Sequence, residues 1–111
     1  MDSTQKKLID LCKSKGYDKF HPQWFENNKL DPGTWYLELC LLQKWLREKY
    51  HFHIAIMPWD KTYWWYQIED IDAYDSSKGA LIKAESKEDK LYNSYEEALE
   101  AGLYQALKLI K

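Results

Sequence analysis

Residues 51–69 read HFHIAIMPWDKTYWWYQIE and predict two β-strands joined by a short turn. In the first strand, residues 51–58, every second side chain is a large apolar one, which is the period of a half-buried strand. Asp60 and Lys61 supply the turn, and residues 63–69 open with four aromatic side chains that favour a second strand. Because the connection is short, we expect the strands to pair as an antiparallel hairpin.

Strand alternation divides this hairpin between two faces. We expect one face to lie under helices and to carry Phe52, Ile54, Ile56, Trp64 and Tyr66. The opposite face then carries an aromatic patch, the candidate binding residues His51, His53, Met57, Tyr63 and Trp65.

Three interpretations of the aromatic patch remain open. It can be an interface with a second copy or another protein, where Trp, Tyr and Met are enriched. It can be a platform on which nucleotide bases stack. It can also be a second core layer, covered by the first helix and by the connector that follows it.

Two helices are predicted before the hairpin. Residues 3–15 place apolar side chains at helical spacing and end at Gly16, which suits a left-handed helix cap. Residues 17–30 form a connector whose aromatic side chains are expected to pack on the core. The second helix begins after Asp31, an N-cap residue, and is apolar on more than one face. Such a helix is buried on two sides or shared with a partner chain.

A third strand and a last helix follow the hairpin. A loose acidic stretch, residues 70–78, leads to a short strand over residues 80–84, and residues 85–93 are predicted to form an exposed loop. Ser94 and Glu97 then form a capping box for a helix with a continuous apolar stripe. The fold class is therefore α+β, a single domain over residues 1–111. An N-terminal helix and connector (1–30) precede an α-β-β-β-α core (31–111), whose three-stranded antiparallel sheet packs under helices.

No catalytic apparatus, cofactor or metal site is predicted. The chain contains no Gly-x-Ser-x-Gly sequence and no glycine-rich phosphate loop. His51 and His53 could share a strand face, but a zinc site needs three or four ligands. The two cysteines, Cys12 and Cys40, lie in helical patterns and indicate buried free thiols in a reducing cytoplasm. No signal peptide or membrane-spanning segment is predicted.

Charge disfavours nucleic acid as the partner. The net charge is −2, and Arg47 is the only arginine, whereas strong nucleic-acid binders carry a basic excess. A nucleic-acid-binding module stays the alternative function. It would use Tyr63, Trp65 and His53 for stacking, with lysines such as Lys44 and Lys61 near phosphate.

Two resemblances bear on function. The segments LLQKWLREKY (41–50), YEEALEAGL (95–103) and ALKLI (106–110) resemble a family of short uncharacterised proteins from phages and mobile elements of gut anaerobic bacteria. That resemblance implies no activity. The α-β-β-β-α order is similar to that of double-stranded-RNA-binding domains, in which a basic cluster opens the final helix and grips phosphate. Here that position reads SYEE (94–97), which is acidic and would repel phosphate.

The function expected from the sequence is that of a small non-enzymatic accessory or interaction protein. We expect it to be a homodimer, formed through the second helix or the aromatic patch, or to bind another protein.

Overall fold

The computed structural model describes residues 3–17, 19–20, 32–75, 77, 79–88 and 90–110. Within them lie three helices and three strands: α1 (Ser3–Ser14), α2 (Pro32–Tyr50), β1 (Phe52–Pro58), β2 (Trp64–Asp75), β3 (Gly79–Glu85) and α3 (Tyr95–Leu109). The strands form one antiparallel sheet in the order β1-β2-β3. This confirms the predicted α+β class, element order and hairpin.

The end of α1 follows the glycine that the sequence marks. Gly16 has a φ of 94°, its N–H donates to the Lys13 carbonyl, and the Tyr17 N–H donates to the Cys12 carbonyl at 2.9 Å. These two bonds form a Schellman motif, which satisfies carbonyls left over at the helix end. The motif also turns Tyr17 inward, where its ring contacts Trp45 at 5.1 Å between centroids.

The connector packs on the core where it is described. Tyr17 and Phe20 are buried, and the Phe20 ring stacks on Trp35 with 6.1 Å between centroids. Asp18 and residues 21–30 of the predicted connector lie outside the described residues, as does Asp31, the predicted N-cap of the second helix. The helix α1 packs against α3, on the helix side of the sheet.

The helix α3 begins as predicted and approaches the sheet closely. The Glu97 N–H donates to Ser94 Oγ at 3.1 Å, and Glu97 Oε2 accepts from the N–H of Asn93, one residue before the cap. Gly102 lies on the apolar stripe, where an added Cβ would be 3.0 Å from Ile54 Cγ2 and from Tyr66 Cβ. The missing side chain therefore allows α3 to lie directly on β1 and β2.

One apolar core lies between the sheet and the helices. Both α2 and α3 pack on the sheet, and α3 also contacts α1. The side chains that are almost fully enclosed there come from all three helices and both strands of the hairpin: Leu8, Ile9, Leu39, Leu42, Leu46, Ile54, Ile68, Leu99, Leu103 and Leu107. Burial of this apolar area is the main favourable contribution to folding.

The strand β2 is longer than predicted. It continues from Glu69 to Asp75, through residues that the sequence pattern assigned to a loose acidic stretch. The Ile71 N–H donates to the His51 carbonyl at 2.9 Å, and the Asp70 carboxylate lies 3.8 Å from Lys83 Nζ on β3. Pairing on both sides thus compensates for the low strand propensity of aspartate, so the prediction was wrong here.

The segment after β3 is not simply an exposed loop. Ser86 is buried and extends the ladder, since its N–H donates to the Tyr66 carbonyl and its Oγ accepts from the Tyr66 N–H, both at 3.0 Å. Trp64 and Tyr92 exchange two backbone hydrogen bonds at 2.7 and 2.8 Å. The prediction of an exposed loop over residues 85–93 is therefore wrong at Ser86 and Tyr92.

The outer edge of β1 is partly occupied by a helix side chain. Gln43 of α2 donates from Nε2 to the Ile54 carbonyl at 2.7 Å. In an antiparallel ladder, pairs that are hydrogen-bonded to each other alternate with pairs that are not. His51 and Ile71 form a bonded pair, so Ile54 and Ile68, three residues away, form a non-bonded pair. The Ile54 carbonyl therefore points away from β2, toward the outer edge of the sheet. The helix and the strand that follows it are thus linked beyond their direct connection.

Burial perturbs two acidic groups of the core. Desolvation raises the pKa of the Cys12 thiol from 9.0 to about 12. Desolvation, with smaller contributions from Glu38 and Cys12, raises the pKa of Tyr17 from 10.0 to about 12. Both groups therefore keep their protons in the folded chain at pH values where the unfolded chain releases them.

We expect alkaline pH to destabilise the fold because of these two groups, and Tyr36, whose pKa is also raised from 10.0 to about 12 by desolvation, adds to the effect. Their contribution to the free energy of unfolding is fully present below pH 9. It is lost as the pH rises from 9 to 12, because in that range the unfolded state binds fewer protons than the folded state. Urea denaturation at fixed protein concentration across this range measures the loss. The Tyr17→Phe variant should lose less stability between pH 10 and 12, and an equal loss in both proteins would contradict the assignment.

Candidate functional site

The candidate site is the face of the sheet that points away from the helices, called here the open face. It comprises His53, Ala55 and Met57 on β1 and their register partners Glu69, Gln67 and Trp65 on β2. A hydrogen bond of 2.9 Å from Gln67 Nε2 to Glu69 Oε1 lies along this face. Among the described residues, all three helices lie on the other side of the sheet.

Four large apolar side chains and one lysine lie together where β1 and β2 meet their turn, a region called here the aromatic end: Met57, Trp59, Tyr63, Trp65 and Lys87. Met57 and Trp65 are direct cross-strand partners. Met57, Trp59 and Tyr63 remain 38%, 51% and 39% exposed, whereas Trp65 is 9% exposed. The aromatic end thus has one enclosed ring with exposed apolar groups around it.

Lys87 contacts both tryptophans of the aromatic end. Its Nζ lies 5.5 Å from the ring centroid of Trp65 and 5.8 Å from that of Trp59. Contacts of an ammonium with an aromatic face contribute about 0.5–1 kcal/mol each at exposed sites. The stem of a lysine in this position also covers apolar area, which helps to account for the burial of Trp65 on a face where none of the described helices lies.

The turn between the strands is fixed by one aspartate. Asp60 Oδ1 accepts from the backbone N–H groups of Thr62 and Tyr63 at 2.7 and 2.9 Å. The Trp59 N–H closes the hairpin by donating to the Tyr63 carbonyl at 2.8 Å. Trp59 and Tyr63 are therefore held at defined positions, so they would lose little conformational freedom on binding.

His51 lies apart from the other candidate residues. It precedes β1, adopts a left-handed φ of 58°, and places Nδ1 2.6 Å from Asp72 Oδ1. In the hairpin register it is six residues from Met57, a separation of about 20 Å along a strand. The prediction that the strand begins at His51 is wrong, because the chain passes from α2 to β1 through this single residue.

His53 lies on the open face and is half-buried. Its Nδ1 is enclosed and has no hydrogen-bond partner among the described residues. The structure therefore places His53, Met57 and Trp65 on one face and Tyr63 beside them, with His51 at the far end of the hairpin.

Sequence reasoning missed four residues of this region. Trp59 was assigned to a turn, and Lys87 was assigned to an exposed loop. Ile71 and Ile82 lie farther along the sheet, at 42% and 48% exposure. A tryptophan within a hairpin turn was the available signal for Trp59, since turns usually hold small or polar residues.

Other kinds of site were sought in the described part of the chain. No three His, Cys, Asp or Glu side chains there converge in a way that could hold a metal ion. None of the described helices has the length and apolar character needed to cross a membrane. Burial raises the pKa of Cys12, which makes this thiol a poor nucleophile.

Comparisons with protein-family models, with curated proteins and with solved structures give no match. The resemblances to the phage and mobile-element family and to double-stranded-RNA-binding domains therefore stay predictions.

Proposed function

We propose that the protein is a small non-enzymatic interaction protein that forms a homodimer through the open face of its sheet. The observation that carries the proposal is that, among the described residues, the helices cover one face of the sheet, while the other face presents exposed Met57, Trp59 and Tyr63 around Trp65. Exposed apolar clusters of this kind are typical of protein interfaces. The two free cysteines fit a cytoplasmic protein.

The residue types support an interface with protein. Tryptophan and tyrosine supply large contact areas and are enriched among the residues that dominate binding energy. Trp59 has half of its surface exposed, and Lys87 and the hairpin turn hold it in place. Such a preformed anchor suits insertion between side chains of an opposing surface.

The charges of the open face suit a second copy. Lys87 lies at the aromatic end, and Glu69 lies farther along the same face, opposite His53. In a two-fold dimer the open face of one copy meets the open face of the other, and the two faces run in opposite directions. The lysine of one copy would then approach the glutamate of the other.

The test is the molar mass in solution by light scattering, over a range of protein concentrations. We expect a dimer whose dissociation constant rises about tenfold or more in the Trp59→Ala variant, as for an interface hot spot. Leu41→Ala is the matched control, since Leu41 is exposed on α2, on the helix side. A monomer at every concentration would contradict the proposal. Dissociation by Leu41→Ala instead of Trp59→Ala would assign the dimer to α2.

The contact of Lys87 with Trp59 and Trp65 favours a second candidate, a platform for single-stranded nucleic acid. Lys44, expected near phosphate, lies instead on α2, 3.8 Å from Glu48. A single-stranded oligonucleotide titrated against tryptophan emission tests this function. Binding that weakens steeply with salt and is lost in Trp59→Ala would support it.

A further inference from the structure

A cavity lies on the other side of the sheet, where α1, α3 and the segment between β3 and α3 meet. Its volume is about 520 Å³, which is within the range of small-molecule sites. It is called here the tyrosine pocket, and its lining includes Leu8 of α1, Tyr66 of β2, Lys90 and Tyr92 of the segment before α3, and Glu100 and Tyr104 of α3.

One side of α3 supplies half of the lining residues. Glu97, Glu100, Ala101, Tyr104 and Gln105 recur at steps of three and four residues and so lie along one face of the helix. This face is adjacent to the stripe that packs on the sheet. The pocket therefore exists because α1 covers only part of α3.

Tyrosine rings in the pocket already contact ammonium groups of the chain. Lys90 Nζ lies 5.2 Å from the ring centroid of Tyr92, and Lys108 Nζ lies 5.5 Å from that of Tyr104. The third ring, Tyr66, lies 6.1 Å from Tyr92. These distances are those of cation–π contacts, so the electron-rich faces of the rings are directed at cations.

The carboxylates of the pocket are held in position. Glu100 Oε2 accepts from Trp35 Nε1 at 3.2 Å, and Glu97 Oε2 accepts from the Asn93 N–H at 3.2 Å. Among the lining residues two are carboxylates and one is an ammonium, that of Lys90, while the Lys108 ammonium lies outside the lining, against the Tyr104 ring. Fixed negative charge beside aromatic rings favours a positively charged ligand over a neutral or anionic one.

We propose that the tyrosine pocket is a binding site for a small organic ammonium ion with an apolar body. The cationic group lies among Tyr92, Tyr104 and the Glu100 carboxylate, and the apolar body contacts Leu8 and Ala101. Lys90 is an internal competitor, since its ammonium already contacts the Tyr92 ring, and Lys108 competes in the same way at the Tyr104 ring. This site is separate from the open face and does not depend on the proposed dimer.

The test uses three compounds with one ring and different charges: benzyltrimethylammonium, benzyl alcohol and benzoate. Isothermal titration with the full chain should show saturable binding of benzyltrimethylammonium and much weaker binding of the other two. Glu100→Gln should weaken that binding about fivefold, because it removes the charge while keeping an acceptor for Trp35. Glu96→Gln is the matched control, since Glu96 is exposed on the same helix and does not line the pocket.

Lys90→Ala gives a second, independent measurement. It removes one competing ammonium and should tighten binding of benzyltrimethylammonium, whereas general damage to the fold would weaken it. Thermal unfolding of each variant monitors folding. The proposal is overturned if benzyl alcohol or benzoate binds as tightly as the cation. It is also overturned if Glu100→Gln and Glu96→Gln have the same effect, or if neither the natural chain nor Lys90→Ala binds the cation.

Discussion

Replacing Gly102 with leucine is expected to lower the free energy of unfolding by about 3 kcal/mol, the upper part of the usual range for overpacked cores. Even a Cβ atom at this position would be 3.0 Å from Ile54 Cγ2 and from Tyr66 Cβ. Those two residues belong to β1 and β2, so a longer side chain must push the helix off the sheet. The higher helix propensity of leucine offsets only part of the cost, since even alanine gains only about 0.8–1 kcal/mol over glycine.

Urea denaturation followed by circular dichroism measures this effect, at one fixed protein concentration because association shifts apparent stability. Lys108→Leu is the control, since it introduces the same side chain at an exposed position of α3. If both leucine variants had the same stability, close contact at Gly102 would not limit the packing of α3.

Replacing Leu42 with alanine is expected to cost about 2–5 kcal/mol, from lost apolar contacts and from the cavity that remains. Leu42 is fully enclosed in the core, on the side of α2 that faces the sheet. The neighbouring residue, Leu41, is 54% exposed. Leu41→Ala should change the free energy of unfolding by no more than about 0.5 kcal/mol.

The two variants change the same residue type at successive positions of one helix. If the two variants have different urea midpoints but the same dependence of the free energy of unfolding on urea concentration, they differ in stability and not in the surface exposed on unfolding. Equal losses in both variants would mean that Leu41 is also buried in solution, as it would be in a dimer formed through α2. Light scattering on the same samples distinguishes that case.

Local signals predicted the order of the elements because each was a short-range interaction. Gly16 ends α1 through bonds to Lys13 and Cys12, and Ser94 caps α3 through a bond to Glu97. In each case the partners are separated by only a few residues, so the pattern is visible in the sequence. The alternation of β1 is equally local.

The predictions that were wrong concern contacts between distant segments. Asp70 to Asp75 became part of β2 because His51 and Lys83 pair with that segment from opposite sides. Ser86 is buried because it continues the ladder beside Tyr66, twenty residues earlier in the chain. Composition alone makes both segments resemble exposed loops.

The candidate site was only partly predictable for the same reason. Alternation correctly placed Met57 and Trp65 on the face away from the helices. It could not show that Lys87, more than twenty residues farther along, would contact Trp65. It also failed at His51, because a single residue in a left-handed conformation changes the direction of the chain.

The bond from Gln43 to the Ile54 carbonyl bears on how the three-stranded sheet of the described residues ends at β1. An edge strand with unpaired backbone groups can recruit a strand from another molecule and so begin aggregation. On β1 the Gln43 side chain occupies one such carbonyl, and Pro58 has no N–H to offer. On β3, Ala84 pairs with Ile68 and Ile82 pairs with Glu69, so Lys83 is an extra residue that interrupts the regular ladder with β2. Both borders of the described sheet therefore resist strand addition, so the homodimer proposed above would form by contact of open faces and not by joining of sheet edges.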